Sequence, residues 1–218
     1  MGMELRVASS LQILATELIT DLGNDKPAVF SKQCVVTQTE GVNNWLKYEL
    51  AQKVGIAANL QFLGINDILL LLYHWVCPDE STLIDKNNMT WAIFAELKEK
   101  EFCDRFPTIS SYFVNDEGRR AGLAAEMADL FDQYQIYRHD KIAKWKKDKN
   151  AEEGENSWQV YLWHKMKNRL KEGYSDRLDV STRLLEKLKD PNATEIIKNR
   201  LPSLRFFGIV IVTPYYLE

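Results

Sequence analysis

The sequence predicts an α/β fold built around a parallel sheet. Three strand-then-helix units follow one another in the first part of the chain, a pattern typical of parallel strands joined by helices. The 218 residues are 45% hydrophobic, which is enough for a substantial core. After about residue 87 the pattern becomes helical, so we expect a large helical insertion before a final strand.

The first unit starts at the strand predicted over Glu4–Ala8. Apolar residues then recur at helical spacing, with Ser9 or Ser10 as the helix cap. The turn between strand and helix reads Ala8-Ser9-Ser10. A phosphate-binding loop at this place needs glycines, a lysine and a magnesium-binding hydroxyl, so the turn does not predict nucleotide binding.

The second unit combines a strand over Val29-Phe30 and Cys34–Val36 with a helical stripe from Val42 to Val54. The helix is predicted to begin at Thr39 or at the Glu40-Gly41 turn. This turn also lacks a lysine, and its carboxylate would repel phosphate. The unit therefore adds a strand and a helix, but no nucleotide site.

The third unit consists of a strand over Gly55–Phe62 and a helix running through Leu69–Leu72. Asn66 or Asp67 is the predicted cap of this helix. With the first two units it forms the first part of the α/β core, residues 1–87.

Residues 88–190 are predicted to form the helical insertion, and residues 191–218 to return the chain to the sheet through a strand over Leu204–Val212. A buried strand is normally followed by another element, so we expect the chain to be a fragment of a longer protein. The predicted insertion helices are Trp91–Lys98, Ala121–Tyr137, Trp158–Leu170 and Val180–Leu188.

Composition narrows the functional classes. The net charge of −3 gives no general attraction to nucleic acid, so any such contact must be local. Three widely spaced cysteines predict neither a zinc site nor disulfides, and no other metal or cofactor is expected. The longest apolar run is too short to span a membrane, so we expect a soluble, cytoplasmic protein.

Asp129 and Asp132 lie three residues apart on a predicted helix, opposite its apolar stripe. They could bind a metal ion or act in acid–base chemistry, but two helical carboxylates without a histidine or a third acid in register usually belong to a solvated helix face. Lysines around Trp145 could bind phosphate beside a stacking ring, or could end a solvated helix with Trp145 in the core. The three histidines are isolated, so no catalytic triad is predicted.

Two stretches have an unusual and specific sequence. One runs from Gly41 to Asn59 and contains Asn43-Asn44-Trp45-Leu46; the other is Ala128-Asp129-Leu130-Phe131-Asp132-Gln133-Tyr134 with Tyr137-Arg138. Both resemble the RecC family, the gamma subunit of exodeoxyribonuclease V in the RecBCD helicase–nuclease. The resemblance continues in order over essentially the whole chain and implies the N-terminal part of a much longer subunit.

The resemblance implies a fold like the first domain of superfamily 1 helicases, with a P-loop-type parallel sheet that lacks a functional phosphate loop. The family's subunit neither hydrolyses ATP nor cuts DNA. It binds and scans single-stranded DNA for the Chi hotspot during double-strand break repair by recombination. The implied partners are that strand and the alpha and beta subunits, and no membrane is involved.

Carried over by position, the resemblance implies seven DNA-binding residues and no catalytic ones. Asn44 replaces a longer amide of the family pattern, and Glu40 replaces a small hydroxyl residue, so the hotspot sequence is left open. A scaffold that mainly docks the other subunits, and an active ATPase of a related type, are the competing hypotheses. The implied DNA-binding residues are Gln38, Asn44, Asp129, Leu130, Asp132, Arg138 and Arg177.

Overall fold

A computed structural model describes residues 4–24, 32–78, 81–149, 151, 154–170, 173–201 and 203–210. Within these ranges the chain is mostly helical, with five short strands. The elements in chain order are α1 (Leu11–Asn24), β1 (Gln33–Val36), α2 (Glu40–Val54), β2 (Leu60–Leu63), α3 (Ile65–Val76), β3 (Thr82–Leu83), α4 (Lys86–Glu96), α5 (Lys100–Arg105), α6 (Pro107–Ser111), α7 (Glu117–Tyr137), α8 (His139–Lys147), a 3₁₀ helix (Gly154–Asn156), α9 (Ser157–Leu170), β4 (Tyr174–Ser175), α10 (Arg177–Lys187), α11 (Pro191–Arg200) and β5 (Leu204–Phe206).

The described residues form two compact units. The first contains the residues up to Pro78 and those from Glu186 onward, and the second contains the residues from 81 to Leu185. A three-stranded parallel sheet lies in the first unit, while the second is helical apart from the parallel pair β3 and β4. The α/β class is thus confirmed. A helicase-like sheet interrupted by a helical insertion stays a prediction.

Strand β1 is the centre of the first unit. The sheet order is β2-β1-β5, and Val35 lies opposite Phe62 on one side and Arg205 on the other. Cys34, Val35 and Val36 are all buried, as expected for a parallel strand covered on both faces. Burial also raises the pKa of the Cys34 thiol, because the thiolate loses its hydration there.

Helices α1 and α2 close over this sheet, as their apolar spacing predicts. Ala15, Leu22 and Leu46 pack with Val35 and Phe207 in one core cluster. Both helices begin at predicted caps. The Ile13 N–H donates to Ser10 Oγ at 3.3 Å, and the Val42 N–H donates to Thr39 Oγ1 at 3.3 Å. Each cap satisfies a backbone donor that has no partner within its helix.

One predicted strand is absent and another is shorter than predicted. Residues 4–8 form no strand, and Leu5 and Val7 are exposed, so the alternating pattern there buries little apolar surface. The strand predicted over Gly55–Phe62 is reduced to β2. Gly55 adopts φ 85° and ends α2, and a loop precedes β2.

The third helix begins earlier than predicted. It starts at Ile65, so neither Asn66 nor Asp67 is its cap. Asp67 instead accepts a hydrogen bond from the Gly64 N–H at 3.0 Å, bonding back to the residue before the helix. At the other end of the chain, β5 confirms the return to the sheet over Leu204–Phe206 only. Val29, Phe30 and residues 211–218 lie outside the described residues.

The second unit is built around Phe131 of α7. Its ring contacts those of Trp145 and Trp163, with centroid separations of 6.0 and 5.6 Å. Met89 of α4 and Leu162 of α9 are fully buried in the same cluster. The four predicted insertion helices are present, with shifted ends. Helices α5, α6 and α11 and the β3–β4 pair were not predicted, and α8 is the helix that one interpretation of the lysines around Trp145 implied.

We expect Gly55→Ala to lower the free energy of unfolding by about 1 kcal/mol, because a Cβ disfavours the left-handed conformation. No atom lies within 4 Å of the added Cβ, so the cost is conformational rather than steric. Gly23→Ala, inside α1, is the matched control and should raise stability by roughly 0.5–1 kcal/mol. Urea denaturation measures both changes, and equal effects of the two substitutions would contradict the interpretation.

Candidate nucleic-acid interface

Asp129 and Asp132 occupy neighbouring positions on one face of α7. Asp116 starts this helix by accepting a hydrogen bond from the Arg119 N–H at 2.9 Å. Ala128 and Phe131, which each precede one of these aspartates, are fully buried on the core-facing side of the helix. The packing of α7 therefore fixes the direction in which both carboxylates project.

Asp129 is held by two side chains. Lys86, at the start of α4, donates to one carboxylate oxygen, and Gln133 Nε2 donates to the other at 2.6 Å. The hydrogen bond from Lys86, followed by that from Gln133, lowers the pKa of Asp129. At neutral pH this surface thus presents a lysine, a carboxylate and an amide side by side.

Asp132 forms an ion pair with Arg177 of α10. Arg177 Nη2 lies 3.0 Å from Asp132 Oδ1, and Nε donates to the same oxygen at 3.2 Å. The Arg177 backbone N–H donates to Gln135 Oε1 at 2.9 Å. The interpretation of Asp132 as part of a solvated face is therefore wrong, because Arg177 covers it from another helix.

Asp176 immediately precedes Arg177 and is completely buried. It lies 2.8 Å from Lys146 of α8 and 3.1 Å from Lys167 of α9. It also accepts a hydrogen bond from the Asp179 N–H at 3.0 Å and so caps α10. Desolvation alone would raise the pKa of Asp176, but the charges of Lys167 and Lys146 outweigh it and lower that pKa.

Leu130 and Arg138 lie near this surface in sequence but have different surroundings. Leu130 is half-buried on α7. Arg138 follows the last residue of α7 and forms an ion pair with Asp140, two residues further along the chain, at 3.3 Å. The hydrogen bond from Arg138 is the main cause of the lowered pKa of Asp140.

Gln38 and Asn44 belong to the first unit, whereas the other five predicted site residues belong to the second. Gln38 follows β1 and is exposed, and its Oε1 accepts a hydrogen bond from the Val210 N–H at 3.0 Å. Asn44 is exposed in the second turn of α2. The structure places Asp132 beside Arg177, with Asp129 one turn earlier on α7, whereas Gln38 and Asn44 are residues of the first unit.

Trp145 cannot act as a stacking platform. It is fully buried and contacts the rings of Phe131, Tyr134 and Trp163. Of the two interpretations of the basic run, the one that placed Trp145 in the core is confirmed. Lysines crowd the last turn of α8, where the helix dipole favours positive charge.

The described residues contain no cluster of three or more metal-ligating side chains. His164 accepts or donates one hydrogen bond with the Trp145 carbonyl, and desolvation lowers the pKa of this histidine. Across the same ranges, no helix is both long and apolar enough to cross a membrane. The polar surface of α7 is accordingly the strongest candidate site in the second unit.

Comparison with known proteins gives this surface a context. Residues 3–218 match the family described as RecC, N-terminal domain. This chain belongs to the RecC family. It is 30% identical over 199 residues to the RecBCD enzyme subunit RecC of Escherichia coli K12, covering 87% of this chain and 18% of that protein.

Other RecC subunits match in the same way. Identity is 26% over 219 residues with the Haemophilus influenzae protein and 24% over 179 residues with that of Mycolicibacterium smegmatis. These cover 87% and 78% of this chain, but 19% and 16% of the relatives. The chain thus spans about a fifth of the length of the RecC subunits that it matches.

Sequence reasoning missed three residues that shape this RecC-family surface: Lys86, Gln135 and Asp176. Asp176 had a usable signal, since an aspartate before a helical stripe is a common N-cap. Lys86 had none, because it is 43 residues from its partner Asp129. Only the packing of α4 on α7 brings the two together.

We expect Asp176→Asn to lower the free energy of unfolding at neutral pH by about 3 kcal/mol, because two lysines then lose their buried counter-charge. Asparagine keeps the capping oxygen, so the change isolates the charge. Urea denaturation of the variant measures the loss. Glu126→Gln, at an exposed position on α7, is the control and should have little effect.

The same carboxylate predicts a pH dependence. Because the folded state lowers the pKa of Asp176, its contribution is present above the ordinary aspartate pKa of about 3.9 and is lost as pH falls below it. Between neutral pH and that range, the difference in stability between wild type and Asp176→Asn should stay constant, and it should shrink at lower pH. A difference that grows on acidification would contradict this assignment.

Proposed function

We propose that this chain forms part of a path for single-stranded DNA within a RecBCD-type complex and performs no catalysis itself. The observation that carries the proposal is the row of paired charges on one face of α7 in a chain of the RecC family. Base edges offer both donors and acceptors, and a surface with carboxylate, guanidinium and amide groups complements both.

The ion pair between Asp132 and Arg177 suits base recognition. Held together, the two groups are oriented in advance, since the Arg177 backbone is fixed by Gln135. A carboxylate accepts from base amino groups, and a guanidinium donates to guanine or to phosphate. A matching base could exchange with the partner in the pair, so binding would depend on sequence.

Carboxylates also weaken general attraction to the phosphate backbone. A strand that meets Asp129 and Asp132 is repelled unless its bases compensate, so a non-matching sequence slides past. We therefore infer that the surface scans for a hotspot rather than anchoring DNA. ATP hydrolysis and DNA cleavage would lie in the other subunits, consistent with the Ala8-Ser9-Ser10 turn.

The test uses the assembled complex that carries the full-length subunit. We expect Asp132→Ala and Arg138→Ala to reduce the response to the hotspot about tenfold, because one base contact is worth about 1–3 kcal/mol. The rate of ATP hydrolysis should not change. Hotspot-dependent change in degradation and ATPase rate measure the two effects.

Glu126→Gln is the matched control, since it removes one carboxylate from the same helix outside the Asp129–Asp132 pair. If this variant and Asp132→Ala had the same effect, general charge rather than a specific contact would be responsible. If neither Asp132→Ala nor Arg138→Ala altered the hotspot response, the α7 surface would have no part in recognition.

A second candidate function is a scaffold that docks the other subunits. Trp91 of α4 is 69% exposed and Val114 is 63% exposed, and such apolar groups favour protein contacts over DNA contacts. Trp91→Ala should weaken retention of the partner subunits if this function dominates. Co-purification of the partner subunits measures that loss. If Trp91→Ala leaves the assembly intact while Asp132→Ala reduces the hotspot response, the DNA path is favoured over the scaffold.

A further inference from the structure

A groove lies between helices α8 and α10 in the second unit. Its volume is about 290 Å³. Lys146 and Lys147 line one wall, Thr182 and Arg183 line the other, and Ala143 and Leu178 contribute apolar surface. Asp179 is its one carboxylate among these lining residues, so cations outnumber anions by three to one.

Two of the three cations are held in place. Lys146 Nζ lies 2.8 Å from the buried Asp176 and 2.6 Å from Asp179. Arg183 Nη1 donates to Ser81 Oγ at 2.9 Å. Because these side chains are already oriented, an anion that enters the groove causes little further loss of side-chain freedom.

The carboxylate does not cancel this attraction. Asp179 lies within 2.6 Å of Lys146 and within 3.7 Å of Lys167, so it is shared between two lysines. Lys147 is exposed beside this network. Lys146 and Lys167 together balance Asp176 and Asp179, so the net positive character of the groove comes from Lys147 and Arg183.

The lining of the groove indicates its ligand. Two lysines, an arginine and a threonine favour an anionic ligand over the apolar face of a partner helix. Lysines and arginine bind phosphate oxygens, a hydroxyl can donate to them, and apolar surface contacts sugar. A sugar–phosphate segment of nucleic acid can contact all three kinds of lining group.

We propose that the α8–α10 groove binds the phosphodiester backbone of the single strand, with Lys147 and Arg183 contacting phosphate from opposite walls. The inference rests on the proposed function and deepens it. The α7 surface contributes base contacts and repels backbone, whereas this groove contributes the sequence-independent attraction that keeps the strand bound.

The test measures the salt dependence of binding. The full-length subunit, assembled with its partner subunits, is titrated into a fluorescently labelled single-stranded oligonucleotide at about 50–200 mM salt. For Lys147→Ala, the slope of log K against log salt should become shallower by about 0.7, the value for one lost phosphate contact on a single strand. Lys147→Glu should weaken binding further. Arg183→Gln tests the opposite wall, and a melting curve confirms that it folds.

Lys100→Ala removes an exposed lysine elsewhere in the same unit and is the control; its slope should equal that of wild type. If wild type binds DNA and both Lys147 substitutions keep its slope, the groove proposal is overturned while the proposed function stands. If wild type binds no single strand, both fail. If Lys147→Glu instead releases a partner subunit at unchanged DNA affinity, the groove contacts protein and the proposal is overturned.

Discussion

The buried carboxylate of Asp176 fixes the arrangement of three helices in the second unit. Asp176 connects α8, α9 and α10 through Lys146, Lys167 and its own capping bond. A buried charge is costly unless its partners are well placed, so these three helices have one favourable arrangement. An apolar core alone would tolerate small rotations of α10, whereas the ion pairs of Asp176 would be broken by them.

The position of Arg177 follows from that constraint. As the first residue of α10, it takes its direction from the cap that precedes it, and it meets Asp132 and Gln135 of α7. The same cluster holds Lys146, which lines the groove between α8 and α10. A single structural carboxylate thus links the Asp132–Arg177 ion pair to the α8–α10 groove.

Patterns of apolar residues predicted those helices whose position depends on residues close in sequence. The spacing of apolar residues located α1, α2 and α7, and the observed caps Ser10 and Thr39 were each one of two predicted alternatives. The failures have physical causes: Leu5 and Val7 alternate like a strand but bury nothing, and Gly55 ends a helix where a strand was expected. The carboxylates at 129 and 132 were identified by resemblance, but their partners Lys86 and Arg177 come from other helices, and no spacing in the sequence encodes such pairs.

The burial of Cys34 in β1 has a chemical consequence. Thiol reagents attack the thiolate, which a raised pKa makes scarce, so Cys34 reacts mainly when the strand separates from its neighbours. Cys103 lies in the other unit and is half-buried, and its Sγ donates a hydrogen bond to the Leu97 carbonyl at 3.5 Å. The alkylation rate of Cys34 would therefore record how often the sheet opens, whereas Cys103 is accessible without such opening.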